Sequence, residues 1–270
     1  MPIPVMLSGL PGKVSLPVMR RIRQTEGLAL ARYGLKGTTY PRDDYEGIHL
    51  FPPDQHAEGL KRALNEYPDL IVVDFTSPSA VNRNADMYAG EGAYFAMGTT
   101  GGDRTRLSQT VKGSSISAVI APNMAKEIVA FQAMMQYAAE TFPDVFSGYT
   151  LEIRESHQST KPDTSGTARS MTEYFDKLGI PFDQKQIVMV RDPVEQLRMG
   201  VPEGDLSGHA WHTYTLRSAD GTVLLSFTHN VSGREIYGGG TVDAVRYLSR
   251  KRQEGSRSEV FSMIDVLRNR

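Results

Sequence analysis

The run Glu155-Ser156-His157-Gln158-Ser159-Thr160-Lys161-Pro162-Asp163-Thr164-Ser165-Gly166-Thr167-Ala168 concentrates the chemistry of this chain. It sets an imidazole, His157, and an ammonium, Lys161, four residues apart in what reads as a polar loop. The loop ends at Ser165-Gly166-Thr167, where a helical pattern begins and runs to Leu178. The first amides of a helix lack internal acceptors and carry partial positive charge, so a carboxylate or phosphate binds there readily. An imidazole that titrates near neutrality, a cation and a helix start indicate a site that binds an anion and transfers a proton. An exposed loop with an incidental histidine and a Ser/Thr cap is the plainer alternative.

Glycine-rich turns form the second group. Ser8-Gly9-Leu10-Pro11-Gly12-Lys13-Val14-Ser15 follows an apolar run and precedes a helical pattern. In a parallel sheet this turn takes a dinucleotide pyrophosphate, because glycine lets the backbone approach and the helix start faces the phosphates. Gly9, Gly12, Lys13 and Val14 are its candidate cofactor residues, with Ser15 standing where a third glycine is expected. The same pattern also fits an ordinary tight turn. Phe75 and Thr76, then Gly98, Thr99 and Thr100, fall at carboxyl ends of predicted strands, where open sheets bind ligands. Pro122, Asn123 and Met124 end the last strand of this half and either close the nicotinamide pocket or form a domain hinge.

Cofactor choice turns on the end of the second strand, where an acidic side chain favours NADH and an arginine accommodates the 2′-phosphate of NADPH. Ala31-Arg32-Tyr33-Gly34-Leu35-Lys36 carries no carboxylate before Asp43, so Arg32 and Lys36 favour NADPH, with NADH also accepted, unless both are simply solvated loop residues. His209-x-x-His212 places its imidazoles on opposite faces of a strand, and with no cysteine and no neighbouring carboxylate no metal is expected. His229 either lines the pocket near Arg234 or is structural, and His49 and His56 read as surface loop residues.

The elements that position these groups alternate through the first half. Pro4–Leu7, Leu28–Ala31, Leu70–Phe75, Tyr94–Met97 and Ile116–Ile120 read as strands, and 14–26, 57–66, 79–90 and 104–111 as helices. Continuous apolar strands separated by helices indicate a parallel sheet covered on both faces. After Pro122 the pattern changes: a long helix over 123–142, a strand over 148–154, and strands at 186–190, 211–217 and 223–230, the last two joined by an Asp220-Gly221 turn. Helices are expected over 241–251 and 260–267. The fold class is therefore α/β, with an N-terminal Rossmann-type parallel sheet and a second α+β mixed-sheet domain inserted before the C-terminal helices. The domains read as 1–122 plus 240–270 for the dinucleotide and 123–239 for substrate and oligomerisation.

Composition narrows the classes. With 270 residues and a formal net charge of −1, the chain can bury a full core and has no basic stripe for nucleic acid. The absence of cysteine excludes disulfides and thiolate catalysis. No apolar run is long enough for a membrane span, and no signal core follows the N-terminus. A cytoplasmic location is expected, or the plastid stroma if a transit peptide has been removed.

Taken together, Gly9-x-x-Gly12-Lys13, Val73-Asp74-Phe75-Thr76, Gly98-Thr99-Thr100-Gly101 and the run from Glu155 to Ala168 resemble dihydrodipicolinate (4-hydroxy-tetrahydrodipicolinate) reductases over nearly the whole chain. Ser156-His157-Gln158, Ser207-Gly208-His209-Ala210 and His229-Asn230-Val231-x-Gly233-Arg234 resemble the plant-type branch. The resemblance implies an NAD(P)H-dependent oxidoreductase of lysine biosynthesis acting on a small cyclic dicarboxylate. It implies His157 as acid/base, Lys161 as proton donor and carboxylate partner, and Ser165, Gly166, Thr167 and Arg234 as substrate-side groups. Gln158 stands where the bacterial motif has a second histidine; it can hydrogen-bond substrate but cannot titrate. Self-association through the second domain is also implied, as a homodimer with a homotetramer the alternative. A related reductase on another cyclic imine, and a non-catalytic NADPH-binding protein, are the remaining function classes.

Overall fold

The computed structural model describes residues 1–269, and its contacts divide the chain into two units: Met1–Val129 together with Glu235 onward, and Ala130–Arg234. One cut therefore falls inside a helix and not at the Pro122 turn.

The first unit begins β1 (Ile3–Leu10), α1 (Ser15–Arg23), β2 (Leu28–Leu30), β3 (Tyr33–Lys36), β4 (Asp44–Tyr45), β5 (Ile48–Phe51) and α2 (His56–Glu66). It continues with β6 (Ile71–Asp74), α3 (Val81–Gly90), β7 (Tyr94–Met97), α4 (Arg104–Lys112), β8 (Ala118–Ile120) and the start of α5 (Lys126–Thr141). With β13 (Val260–Phe261) at one edge, strand order is β13-β8-β7-β6-β1-β3-β5-β4, with β2 also on β1, and every pairing is parallel except the short β4–β5 hairpin. Val5, Met6, Ile71, Val72, Phe95 and Ala96 are all 0% exposed, as continuous apolar strands under two helix layers must be. Truncating Phe95 to alanine would cost about 3–5 kcal/mol through lost burial and the cavity left behind. Gly238 lets α8 (Ile236–Gln253) lie against α1, since a Cβ there would come 2.8 Å from Arg21 Cβ.

Two expectations are corrected here. Residues 33–36, read as a loop, form β3; β2 pairs with residues 3–5 of β1 and β3 with Ser8 and Leu10, so the strand is interrupted once and ends at Lys36. The expected helix over 260–267 is instead β13 (Val260–Phe261), parallel to β8, followed by α9 (Met263–Arg268). Ser262 enforces the break: its side chain and that of Asp265 exchange capping bonds at the helix start.

The second unit holds the rest of α5, then β9 (Thr150–His157), α6 (Gly166–Lys177), β10 (Val188–Val190), α7 (Pro193–Arg198), β11 (His209–Arg217) and β12 (Leu224–Ser232). Its sheet runs β10-β9-β11-β12, with β9–β10 parallel and the other pairs antiparallel. Ile153, Tyr214 and Leu216 face Met171 and Phe175 of α6 and Met135 and Ala139 of α5 in one apolar cluster. A further correction bears on the site: β9 extends to His157, so the candidate acid/base is a buried strand residue, and the mobile-looking polar loop starts only at Gln158.

Candidate active site

In the first unit a cleft of about 470 Å³ opens at the carboxyl ends of β1, β3 and β6. Gly9, Gly12, Phe75 and Thr76 line it, together with Lys36, Thr38, Thr39, His56, Arg83 and Asn84. Gly9 has φ +96°, and a Cβ there would sit 2.2 Å from the Phe75 carbonyl oxygen, so glycine is required where β1 turns. Ser15, the departure from a third glycine, holds the turn: its Oγ accepts from the Gly12 N–H at 2.8 Å and donates to the Gly9 carbonyl at 2.7 Å.

A buried carboxylate organises the neighbouring loops. Asp74 Oδ1 accepts from Thr99 Oγ1 at 2.6 Å and Thr76 Oγ1 at 2.8 Å, while Oδ2 accepts from Tyr88 Oη at 2.7 Å and Asn84 Nδ2 at 2.9 Å. Burial, reinforced by the Asp74 charge, pushes the Tyr88 phenol well above its ordinary value and keeps it a donor. The Thr99 hydroxyl is thus committed inside the protein. Gly98 packs under Phe75, whose ring a Cβ would strike at 2.1 Å. Lys13, Val14, Gly98, Thr99, Thr100, Pro122, Asn123 and Met124 do not line the cleft. Met124 is buried, with its carbonyl against Gly240, and Asn123 caps the approach to α5 by accepting from the Ala125 N–H at 2.9 Å.

Arg32 stands away from the cleft. It precedes the true end of the strand, its side chain is 76% exposed, and it faces Glu66 at 3.8 Å instead of the cleft. Lys36 does line the cleft but is no solvated loop residue: it is 7% exposed and its Nζ donates to Asp43 Oδ1 at 2.7 Å and to the Arg42 carbonyl at 2.8 Å. The carboxylate that appeared distant in sequence is therefore brought back to the strand end, and Lys36 draws the Asp43 carboxyl below its usual range. His56, read as a surface residue, is buried at the start of α2 with Nε2 3.0 Å from the Lys36 carbonyl; burial lowers its pKa.

In the second unit β9, β11 and the start of α6 converge on Glu155, which is 0% exposed. Its Oε1 accepts from Arg191 Nη2 at 2.7 Å and its Oε2 from the Ser165 backbone N–H at 2.9 Å. His157 Nε2 stands 3.4 Å from Oε2, at ion-pair distance but without hydrogen-bond alignment. Burial alone would raise the Glu155 pKa; the contacts with His157, Arg191 and Ser165 outweigh it and hold the carboxyl below its usual value. Register places His212 opposite Glu155, and His212 Nε2 shares a 3.0 Å hydrogen bond with Ser165 Oγ, the N-cap of α6. The His212 ring stacks on His229 at 4.6 Å and meets His157 edge-on at 5.2 Å. Burial, then the neighbouring cationic sites, pushes His212 well below its ordinary pKa, and burial takes His229 down to about 4, so both are neutral imidazoles at pH 7.

The loop between β9 and α6 is pinned from beneath. Arg191 Nε donates to the Lys161 carbonyl at 2.9 Å and Nη2 to the Asp163 carbonyl at 3.2 Å, while the Lys161 N–H donates to the Gln158 carbonyl at 2.9 Å. Gln196 of α7 donates to the carbonyls of His157 and Val190, clamping the ends of β9 and β10. Lys161 Nζ pairs with Asp163 Oδ1 at 2.6 Å, a contact that lowers the Asp163 pKa. Gly166 and Thr167 form the first turn of α6, where amides have no intrahelical acceptor. Arg234 is half-buried beside Gly208, where a Cβ would lie 3.2 Å from its Nη1. His157 ends β9, Lys161 lies in the loop that follows, and that loop leads into the first turn of α6; Glu155, Arg191, His212 and Gln196 were missed. Glu155 stood inside the motif and carried a legible signal, whereas the other three come from distant segments.

Glu155, His157 and His212 present ligand-type atoms within 4.8 Å of one another, so a carboxylate does accompany the histidines, contrary to the sequence reading. Both Glu155 oxygens are already engaged, one by a guanidinium whose charge opposes a cation.

Comparison with known proteins covers nearly the whole chain in two halves that meet near residue 125. Residues 3–124 match the family description "Dihydrodipicolinate reductase, N-terminus" and residues 127–267 match "Dihydrodipicolinate reductase, C-terminus". The chain is 45% identical over 98% of its length to 4-hydroxy-tetrahydrodipicolinate reductase 1, chloroplastic, of Arabidopsis thaliana, covering 78% of that protein. It is 52% identical over 82% of its length to reductase 2, chloroplastic, of the same plant, covering 64% of that protein. Among solved structures, the dipicolinate-bound dihydrodipicolinate reductase from Paenisporosarcina sp. TG-14 has the same fold, with a TM-score of 0.70 at 18% identity over 98% of this chain and 99% of that one. Two matching family halves and 45% identity along nearly the full chain make this protein a member of the dihydrodipicolinate reductase family.

Proposed function

We propose that this chain catalyses NAD(P)H-dependent reduction of 4-hydroxy-tetrahydrodipicolinate to tetrahydrodipicolinate, the step of lysine biosynthesis for which its plant relatives are named. The observation that carries this reading is the cluster around Glu155, which joins His157, the Ser165 N–H before the open first turn of α6, and Arg191, whose Nε holds the Lys161 carbonyl. A cyclic dicarboxylate needs cations and free amides, and reduction needs a proton source; these residues supply both. In the first unit the Gly9–Gly12 turn, opened by glycine and braced by Ser15, suits a dinucleotide phosphate at the start of α1. Gly9, Gly12, Phe75 and Thr76 would hold that cofactor, whose chemistry is donation of a hydride.

Overall a hydride and a proton are added and a water is lost. Lys161, Arg234 and the Gly166–Thr167 amides neutralise the two carboxylates and orient the ring. His157, or Lys161 after release from Asp163, provides the proton. Gln158 offers an amide contact to the ring and takes no part in proton transfer. NADPH is the preferred cofactor in this reading: Lys36 and Arg83 give the cleft two cations near the strand end, where a 2′-phosphate is recognised. The chain self-associates as a homodimer through the four-stranded sheet, supported by the nine-residue edge strand β12 and exposed Val223 and Leu224 at its start. Light scattering at micromolar concentration tests this, and a monomer would remove it.

The deciding experiment for the activity is NADPH oxidation with freshly generated 4-hydroxy-tetrahydrodipicolinate. Rapid turnover is expected. Cofactor binding without turnover would instead favour a reductase for another cyclic imine or a non-catalytic NADPH-binding protein.

A further inference from the structure

Glu155 is the most deeply enclosed charged group of the second unit, and no step of the proposed chemistry uses it. A carboxylate with no solvent exposure costs several kcal/mol to bury and is retained only where its partners compensate. Those partners come from three separate places. His157 is two residues along the same strand, on the same face by the period of a β-strand, and its Nε2 lies 3.4 Å from Oε2. The Ser165 N–H, immediately before the open turn of α6, donates to the same oxygen at 2.9 Å. Arg191, from the segment after β10, donates to Oε1 at 2.7 Å and carries the Lys161 carbonyl on its Nε at 2.9 Å.

We propose that Glu155 is the positioning residue of this site, its carboxylate joining the proton-donating imidazole of His157, the Ser165 amide that starts the carboxylate-binding turn, and Arg191 beneath Lys161 into one rigid frame. This rests on the functional reading above. The physical reason is orientation. A substrate that is to receive a proton must meet an imidazole, an ammonium and two amides at fixed mutual distances, and small displacements of such groups cost large factors in rate. His157 and the α6 start are separated by a seven-residue loop, 158–164, which cannot by itself hold them in register. Glu155 spans that gap directly. One oxygen accepts the Ser165 N–H at 2.9 Å and faces His157 Nε2 at 3.4 Å, so a single carboxylate draws the imidazole ring and the helix start toward the same point. His212 adds a strut between β11 and the Ser165 hydroxyl.

The test is Glu155→Gln, which keeps the volume and an acceptor for the Ser165 N–H but removes the charge facing His157 and Arg191. Turnover is expected to fall about ten- to a hundredfold and the KM for the dicarboxylate to rise, with the KM for NADPH unchanged. A structural role alone could mimic this by leaving the Arg191 cation unpaired, so Glu155→Gln/Arg191→Met is made alongside it; removal of both charges also protects folding. The double variant is expected to stay slow. Recovery to wild-type turnover, or near-normal turnover in Glu155→Gln, would overturn the proposal. Nitrogen-15 NMR of the imidazoles and backbone gives a readout independent of substrate identity. The His157 ring and the Gly166 and Thr167 amides should shift together in Glu155→Gln while amides of the first unit stay in place. If the His157 signals do not move, Glu155 does not hold that ring. Should the wild type fail to turn over 4-hydroxy-tetrahydrodipicolinate, the functional reading falls, and the NMR comparison still decides the role of Glu155.

Discussion

Each unit of this molecule is built around a buried carboxylate, and the two are satisfied in opposite ways. Asp74 receives neutral donors only, from Thr76, Thr99, Asn84 and Tyr88. Those bonds tie the ends of β6 and β7 to α3, and no cation touches the group within its hydrogen-bond set. Glu155 is surrounded by a guanidinium, an imidazole and one backbone amide. A carboxylate held by neutral dipoles welds loops together. One held by an imidazole, a guanidinium and a backbone amide ties a strand, a helix start and a distant segment together. Under the function proposed above, the difference separates a scaffold in the first unit from a frame for the site in the second.

Breaking the working side should give the largest effect. His157→Gln is expected to reduce kcat by about two to four orders of magnitude, the usual cost of removing a proton donor, and Lys161→Met by at least about a hundredfold. NADPH binding should be intact in both, measured by fluorescence titration; a parallel loss of cofactor affinity would mean that the two regions are not chemically distinct.

The scaffold side should respond in stability. Asp74→Ala removes the common acceptor of Thr76, Thr99, Asn84 and Tyr88, the last three buried, and is expected to destabilise the first unit by about 3–5 kcal/mol, the cost of breaking a buried charged network. Urea denaturation measures it. A loss confined to turnover, with no change in midpoint, would show that Asp74 is a site residue and erase the contrast.

A third, smaller effect concerns the cleft cations. Lys36→Met combined with Arg83→Met should cut the NADPH-over-NADH ratio of dissociation constants by about ten- to a hundredfold, the worth of a well-formed charge-assisted contact of about 1.5–3 kcal/mol. Arg32→Ala should leave that ratio unchanged, since Arg32 faces Glu66. A shifted ratio in Arg32→Ala alone would restore the sequence-based assignment.

The smallest effect is acid sensitivity of the imidazole stack. His229 titrates at about 4 in the folded chain because burial disfavours its charge, against roughly 6.5 when unfolded. The unfolded state therefore binds more protons between these values, so the contribution is complete above pH ~6.5 and is lost as pH falls toward 4. Its size is on the order of 2 kcal/mol after discounting for partial solvent access. Melting temperatures from pH 7 to 5 should fall more steeply in the wild type than in His229→Gln; parallel curves would remove His229 as the cause.

Much of this was legible in the sequence where the physics is local. The apolar runs at 71–73 and 94–97 read as buried parallel strands because their neighbours in sequence are helices. Gly9 was legible because a strand-to-helix turn demands a residue without Cβ, and the Ser165 cap because side-chain capping acts over three residues. The type and order of the catalytic candidates were carried by the same locality, since His157, Lys161 and the α6 start lie within one short run. What tertiary structure alone decided is which groups meet across segments. Asp43 returns to Lys36 only because the β4–β5 hairpin brings it there, so the strand end holds a carboxylate beside its cation. His212 and Arg191 reach Glu155 from β11 and from beyond β10, through strand register that no local pattern encodes. Burial had the same origin: His157 and His56 sit in polar sequence, and only packing from distant elements takes them out of water.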